Sequence, residues 1–457
     1  MGILDRIYNT LPLQVQNIAV STYGQYWHRL RFGGSFQARK AGYLEREHFD
    51  PGAWQEYQSA VLRRLLPYAA EKIPYYKRAW DEGQKRAALA GDLAALPLLE
   101  KEPLRANPYD FVAPRLRRRL HWKFHTSGST GTPIATLWTA GEIRDSLAVR
   151  ETRSARWAGV SFRQPRATFS GRLVEPDPHS AGPFYRYNAA EKQVYFSAFH
   201  LRAETAGNYV EGLHRYSVQW MTGYAVSFYL LARFMLEQNL QPPPLQAIIT
   251  TSEKLTPEMR RVMQAAFRCR VYEEYSTVEN ALFASECEQG KLHVSPDVSV
   301  VEILRPDGAP CVPGEAGEVV TTCLMRTYQP LIRFRLGDIA SWSDEPCSCG
   351  RAMPVIQEVL GRIEDVVVGP DGRQMVRFHG IFTDQPHIRE GQIIQESLDY
   401  IRVKVVPIDI LDEKDIQDII HRVQQRLGSD VNVIVEAVSE IPRTKAGKFK
   451  AVISLIQ

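Results

Sequence analysis

Apolar residues recur at helical spacing through the first part of the chain. Between Trp54 and Ala70 they fall at Val61, Leu62, Leu65, Leu66 and Ala69, which predicts a helix that Pro67 would kink or end. Residues 1 to about 115 read as mostly helical. Leu93–Leu104, with Pro97 and Pro103, reads as a connector. From Leu120 to about Leu304 strand-like and helix-like segments alternate. Short strands are expected at Ala167–Ser170 and Val194–Phe196, and buried strands at Leu245–Thr251 and Val271–Tyr275. Helices are expected at Val226–Glu237 and Pro257–Phe267. Such alternation predicts an α/β layer with helices against a sheet. Glu315–Cys323 and Pro330–Asp338 are strand-rich and read as antiparallel. After Gly361 a hairpin turned at Gly369-Pro370-Asp371-Gly372 leads into a strand (Ile401–Val406), a helix (Glu413–Leu427) and a strand (Val431–Val438). A boundary at about residue 361 divides the chain into 1–361 and 362–457.

Length agrees with that division, since 457 residues exceed what one core holds. Hydrophobic residues at 44% and charged residues at 24% are ordinary for a globular protein. The net charge of +4 comes from mixed signs, and the one dense basic run, Arg115–Arg119, reads as a solvated loop edge. Nucleic acid is therefore not an expected partner. No stretch of about 18 apolar residues suits a membrane span. The N-terminal residues lack a signal-peptide core, and six cysteines suit a reducing compartment, so the expected location is cytoplasmic. Oligomeric state is not readable.

The densest chemistry lies at His125-Thr126-Ser127-Gly128-Ser129-Thr130-Gly131-Thr132-Pro133, between two strand-like segments. Its hydroxyls and backbone N–H groups can meet an anion, and its glycines let the backbone come close. No Gly-Lys-Ser/Thr follows, so it is not a Walker loop. Further along stand Ser252-Glu253-Lys254, Tyr275-Ser276-Thr277-Val278-Glu279, Arg335-Leu336-Gly337-Asp338, Gly361-Arg362-Ile363-Glu364-Asp365 and Pro442-Arg443-Thr444-Lys445-Ala446-Gly447-Lys448. An acidic residue such as Asp338 can accept from both ribose hydroxyls. Taken alone it could equally be a turn residue after Gly337.

In this order the segments resemble the motifs of the adenylate-forming superfamily of acyl-CoA synthetases, aryl-CoA ligases and nonribosomal adenylation domains. The short chain resembles the phenylacetate–CoA ligase-like family within it. Phe169-Ser170-Gly171-Arg172 and Ser285-Glu286-Cys287-Glu288-Gln289-Gly290-Lys291-Leu292-His293 are similar to the wording of its capsular polysaccharide biosynthesis-type members. The likeness covers nearly the whole chain and is weakest over residues 1–50. It implies a large N-terminal adenylation domain of layered α/β sheets and a small mobile α+β C-terminal domain. It also implies roles. Thr126, Ser127, Gly128, Ser129, Thr130 and Gly131 would hold ATP phosphates, and Ser252 and Glu253 would lie against adenine with Tyr275. Thr277 would meet the AMP phosphate, with Ser276 in the place of a usual glycine. Glu279 would hold Mg²⁺, Asp338 the ribose and Arg362 the nucleotide. Glu364 would be the hinge and Lys448 the catalytic lysine.

Cys287, His293, Cys347 and Cys349 supply three thiolates and one imidazole, the donor set of a closed structural zinc site. Family members are said to carry zinc at matching positions. Cys269, Cys311 and Cys323 read as core residues. Phe199, His200, Gly223 and Tyr224 are candidates for the acyl pocket; a lone His is as often a satisfied core residue.

The resemblance implies an ATP- and Mg²⁺-dependent ligase. A carboxylic acid attacks the α-phosphate, pyrophosphate leaves, and the acyl group passes to a thiol, with coenzyme A the leading acceptor. An amine acceptor, giving an amide, is the alternative within the same chemistry. A non-catalytic nucleotide-binding module is disfavoured, because Lys448, Glu279 and Asp338 are all present.

Overall fold

The computed structural model describes residue 8 and residues 10–126, 134–170, 172, 174–175, 180–198, 200–362, 367–370, 374–375, 381–382, 385, 387–443 and 449–456. The chain is of the α/β class that its alternating pattern predicts. Twelve strands of the described residues form one sheet. Its centre is parallel: Gln193–Ser197, Arg166–Ser170, Trp220–Tyr224, Ala247–Thr251 and Arg270–Ser276 lie side by side in that order. Tyr185–Asn188 closes one edge. On the other side Phe283–Glu286, Leu292–Val294, Val355–Arg362, Phe334–Trp342, Ala316–Cys323 and Ser299–Leu304 continue antiparallel.

Side chains on a strand alternate between faces, and the two faces of the parallel strands differ. Ala167, Phe169, Val194, Phe196, Met221, Ile248 and Val271 pack one way. They meet the helices Ala206–Arg215, Ala225–Glu237 and Pro257–Phe267, which supply Tyr209, Leu213, Phe228, Leu231 and Met263 to the same core. Pro257 follows the N-cap Thr256, whose hydroxyl accepts from the Met259 N–H at 3.2 Å. The opposite face carries Arg166, Thr168, Gln193, Tyr195 and Thr222 on successive strands. The helices Leu13–Phe32 and Ala140–Val149 lie over that side. Nearby, the buried Asp297 holds Arg153 through two hydrogen bonds of 2.7 and 2.8 Å and Arg46 through a third of 2.8 Å, tying the helix Phe36–Arg46 to the sheet. Opposing charge outweighs burial and holds the Asp297 carboxyl below its ordinary range.

Two details differ from the sequence expectations. The helix Pro51–Lys72 runs on through Pro67. Leu66 and Ala69 are fully buried beside it, and that packing offsets the lost backbone hydrogen bond. The connector also contains a short helix, Lys101–Ala106.

The last strand of the large sheet ends at Arg362. Beyond it Val367–Val368 pairs with Gln374–Met375. A four-stranded sheet then runs Asn432–Ala437, Tyr400–Pro407, Ile388–Ser397, Val452–Ser454. The helix Glu413–Leu427 covers it, presenting Ile419, Val423 and Leu427 at four-residue spacing to the core. Its start is fixed by Asp412, which accepts from the Asp415 N–H at 2.8 Å.

Candidate active site and metal centre

The parallel strands end together at Tyr224, Thr251 and Ser276, where an open α/β sheet offers a crevice. A cavity of about 480 Å³ starts there and runs along the polar face of the sheet. Ser252, Ser276, Thr277, Gly223 and Tyr224 line it. Gly223 sits at φ 146°, and a Cβ there would lie 1.9 Å from the Phe169 carbonyl oxygen, so only glycine lets the two strands approach. His200 takes another place. It is buried, stacks on Phe184 at 4.9 Å, and its Nδ1 is 2.8 Å from the Ser197 hydroxyl. Phe199 lies outside the described residues.

The Tyr275 hydroxyl donates to Asp338 Oδ2 at 2.7 Å, which joins two segments 63 residues apart. Asp338 follows Gly337, whose φ is 73° and where a Cβ would meet the Lys101 ammonium at 2.7 Å. Arg335 of the same segment is spent on structure, through Glu318 at 2.9 Å and Glu100 at 2.7 Å. Arg362 stands opposite Asp338 in the antiparallel ladder. Ser276 has no positive φ, so no glycine is required there, and its hydroxyl donates to Glu274 at 3.1 Å. Thr277 closes a turn by accepting from the Asn280 N–H at 2.9 Å and, through its hydroxyl, from the Ala281 N–H at 3.2 Å. That turn presents Glu279, which is largely buried and whose carbonyl accepts from Arg326 at 2.6 Å.

Ser252 holds φ 69°, a left-handed conformation rare for serine, and so turns the chain ahead of Glu253. Glu253 accepts from the Val226 N–H at 2.9 Å and from the Phe449 N–H at 3.0 Å. Lys254 pairs with Glu358 at 2.7 Å. Phe449 is the residue after Lys448, and it packs against the core of the large sheet. Thr126 brackets the hydroxyl-rich loop: its N–H donates to the Ile134 carbonyl at 3.0 Å, and its hydroxyl accepts from the Ile134 N–H at 2.9 Å. Ser127, Gly128, Ser129, Thr130, Gly131, Glu364 and Lys448 lie outside the described residues.

Cys287, His293, Cys347 and Cys349 come together, their ligand atoms all within 4.8 Å of one another. Cys287 Sγ is 3.6 Å from Cys347 Sγ, and Cys349 Sγ is 3.3 Å from His293 Nε2. A zinc tetrahedron with Zn–S near ~2.3 Å has sulfur edges of about 3.8 Å, so the set fits that ion. His293 Nδ1 donates to the Met353 carbonyl at 3.1 Å, which leaves Nε2 as the lone-pair nitrogen facing the thiols. Burial lowers the His293 pKa and favours that neutral ring.

Sequence reasoning assigned no site role to several side chains that line the cavity: Arg31, Arg150, Arg166, Arg172, Glu191 and Gln193. The signal was present. Arg166-Ala-Thr-Phe-Ser and Gln193-Val-Tyr-Phe-Ser alternate polar and apolar residues in strands that a fully packed parallel sheet would fill with apolar ones.

Comparison with known proteins places this arrangement. Residues 368–455 match the model of the CapK C-terminal domain. Over 99% of this chain and 100% of the relative, the sequence is 24% identical to protein CapK of Staphylococcus aureus. It is also 24% identical to a phenylacetate-coenzyme A ligase of Thermus thermophilus, over 87% of this chain and 96% of that one. The fold matches 2-hydroxyisobutyryl-CoA ligase in the postadenylation state with R3-HIB-AMP. The TM-score is 0.68 at 22% identity, covering 90% of this chain and 91% of that one. The chain is thus similar over nearly its whole length to CapK and over most of it to phenylacetate-coenzyme A ligases, it shares the fold of an acyl-CoA ligase, and its C-terminal residues match the CapK type.

Proposed function

We propose that the protein joins a carboxylic acid to AMP with release of pyrophosphate and then passes the acyl group to a thiol, coenzyme A being the first candidate. The observation that carries this reading is the Tyr275–Asp338 pair at 2.7 Å, Tyr275 being followed directly by Ser276 and Thr277, which line the cavity at the strand ends. An aromatic ring and a carboxylate held together offer a nucleoside one face for the base and one acceptor for the ribose hydroxyls. Ser252 and Glu253 border the same place. Thr126, with Ser127, Gly128, Ser129, Thr130 and Gly131, would hold the phosphates. Thr277 would meet the α-phosphate and Arg362 the nucleotide. Glu279 would hold Mg²⁺, which supplies charge neutralisation at the phosphate oxygens. Lys448 would stabilise the charge shared by the attacking carboxylate and the α-phosphate.

Residues 1–361 would form the adenylation domain. Residues 362–457 would form a mobile domain that turns about Glu364, bringing Lys448 in for the first half-reaction and shielding the mixed anhydride from water. Cys287, His293, Cys347 and Cys349 would hold a structural zinc, since four protein ligands leave no position open for water. The test is ATP–pyrophosphate exchange across a panel of carboxylic acids, followed by coenzyme A and amines with each active acid. Thioester formation supports the reading. A protein that binds ATP but forms only an amide would replace the acceptor and keep the first step.

A further inference from the structure

The cavity does not end at the strand tips. It continues down the sheet face to a group of charged side chains on the floor and walls. Four guanidinium groups line it (Arg31, Arg150, Arg166 and Arg172) against one carboxylate, Glu191. Glu274 pairs with Arg150 at 3.1 Å, so against these two carboxylates the four guanidinium groups leave two positive charges. Like charges crowd there. Arg150 and Arg166 both stack on the Phe162 ring, at 5.1 and 5.4 Å. Arg31 reaches Glu191 at 3.1 Å, and Arg166 meets the same carboxylate at 3.3 Å.

Several of these donors have nothing to bind. Arg166 is 3% exposed, and its Nε has no hydrogen-bond partner among the described residues. Arg150 uses only Nε, toward Glu274, so its two terminal nitrogens have no partner among the described residues. Arg172 lies over the Tyr195 ring at 4.3 Å with no side-chain hydrogen bond among them. Only the Arg166 Nε is buried without a partner; Arg150 is part-exposed and Arg172 exposed, so their terminal nitrogens are open to a ligand that enters the cavity. A carboxylate matches the guanidinium fork, and two such groups can share it.

Trp27, Arg31 and Phe32 of the helix Leu13–Phe32 also line the cavity. Resting on the reading of the strand-end site as an adenylation site, we infer that the activated acid carries a second anionic group at its far end, a carboxylate in the simplest case, received by Arg150 and Arg172 beside Arg166. A purely apolar acid such as phenylacetate would leave those charges uncompensated.

The test uses the full-length protein and three matched pairs in ATP–pyrophosphate exchange: 4-carboxyphenylacetate and phenylacetate, glutarate and pentanoate, adipate and hexanoate. At least one diacid should show a KM tenfold or more below that of its monoacid partner. Arg172→Gln breaks no ion pair, so it should fold normally. It and Arg150→Gln should each raise the KM for that diacid at least fivefold, while the KM for ATP and for the monoacid stays fixed. Equal or better use of the monoacids overturns the inference and leaves the adenylation reading standing. So does a change in the KM for ATP, which would give the arginines to nucleotide phosphates. Exchange with none of the six acids, in protein that binds ATP by calorimetry, overturns the inference alone; absence of ATP binding overturns the underlying reading.

Discussion

Glu253 accepts a hydrogen bond from the backbone N–H of Phe449 at 3.0 Å, and so joins the segment after the Ala247–Thr251 strand to the residue that follows Lys448. The same carboxylate caps the first turn of the Ala225–Glu237 helix through the Val226 N–H. One side chain therefore ties the start of the Ala225–Glu237 helix to the C-terminal segment. Glu253→Gln keeps the shape but leaves one acceptor oxygen for two N–H donors. A hydrogen bond to a charged group contributes about 1.5–3 kcal/mol, so pyrophosphate exchange should slow roughly tenfold or more. Transfer from preformed acyl-adenylate should change little, because in the proposed cycle that step would not need Lys448 in place. Equal loss in both half-reactions would make Glu253 a general structural contact.

Asp338→Ala should weaken ATP binding by at least about tenfold, since a ribose would lose a charged acceptor for two hydroxyls. Tyr275→Phe removes only the partner that orients Asp338 at 2.7 Å, and its effect should be smaller. Calorimetry with ATP checks both. Unchanged affinity in Asp338→Ala would move the ribose elsewhere.

Periodicity made the order and class of the elements legible: the strand at 247–251 opens on Ala-Ile-Ile, and the helix Pro257–Phe267 that follows it starts at a Thr256 cap with Pro at its first position. The continuation of the helix through Pro67 was not legible, since it depends on burial of Leu66 and Ala69 by distant residues. Motif order brought out Tyr275 and Asp338. Their hydrogen bond needs the turn at Gly337 and the pairing of distant strands, which no local signal encodes. The arginine-lined half of the cavity was written in the alternation of the Arg166–Ser170 and Gln193–Ser197 strands. Those strands looked like ordinary core because their other faces are apolar.

Purified without chelator, the protein should hold one zinc ion per chain. Cys347→Ser should remove it and lower the unfolding temperature while leaving ATP affinity near normal, because the energy of metal binding is part of the energy of folding. Elemental analysis and thermal unfolding read the two effects. Full stability and activity in metal-free protein would reduce the four residues to a packed cluster.

The last prediction concerns pH. Glu273 lies one strand position from Glu274, its own N–H donates to Glu286 at 2.8 Å, and Arg260 is already engaged by Glu286 at 2.8 Å. Burial first, and the neighbouring Glu286 charge second, push the Glu273 pKa up to about 7, against the smaller opposing pull of Arg260 and Lys254. A carboxyl whose pKa is raised by folding favours the folded state while protonated. Its contribution is present below the unfolded value, near 4.5, and is lost as pH rises through about 7. Each unit of difference corresponds to about 1.4 kcal/mol, so the loss between pH 5 and 8 is on the order of 2 kcal/mol once residual contact with water is allowed for. Glu273→Gln keeps the neutral shape at every pH. It should match the wild type in unfolding temperature near pH 5 and exceed it by several degrees near pH 8. Parallel stability curves for the two proteins from pH 5 to 8 would show that Glu273 is ionised at neutral pH and that Arg260 and Lys254 dominate its surroundings.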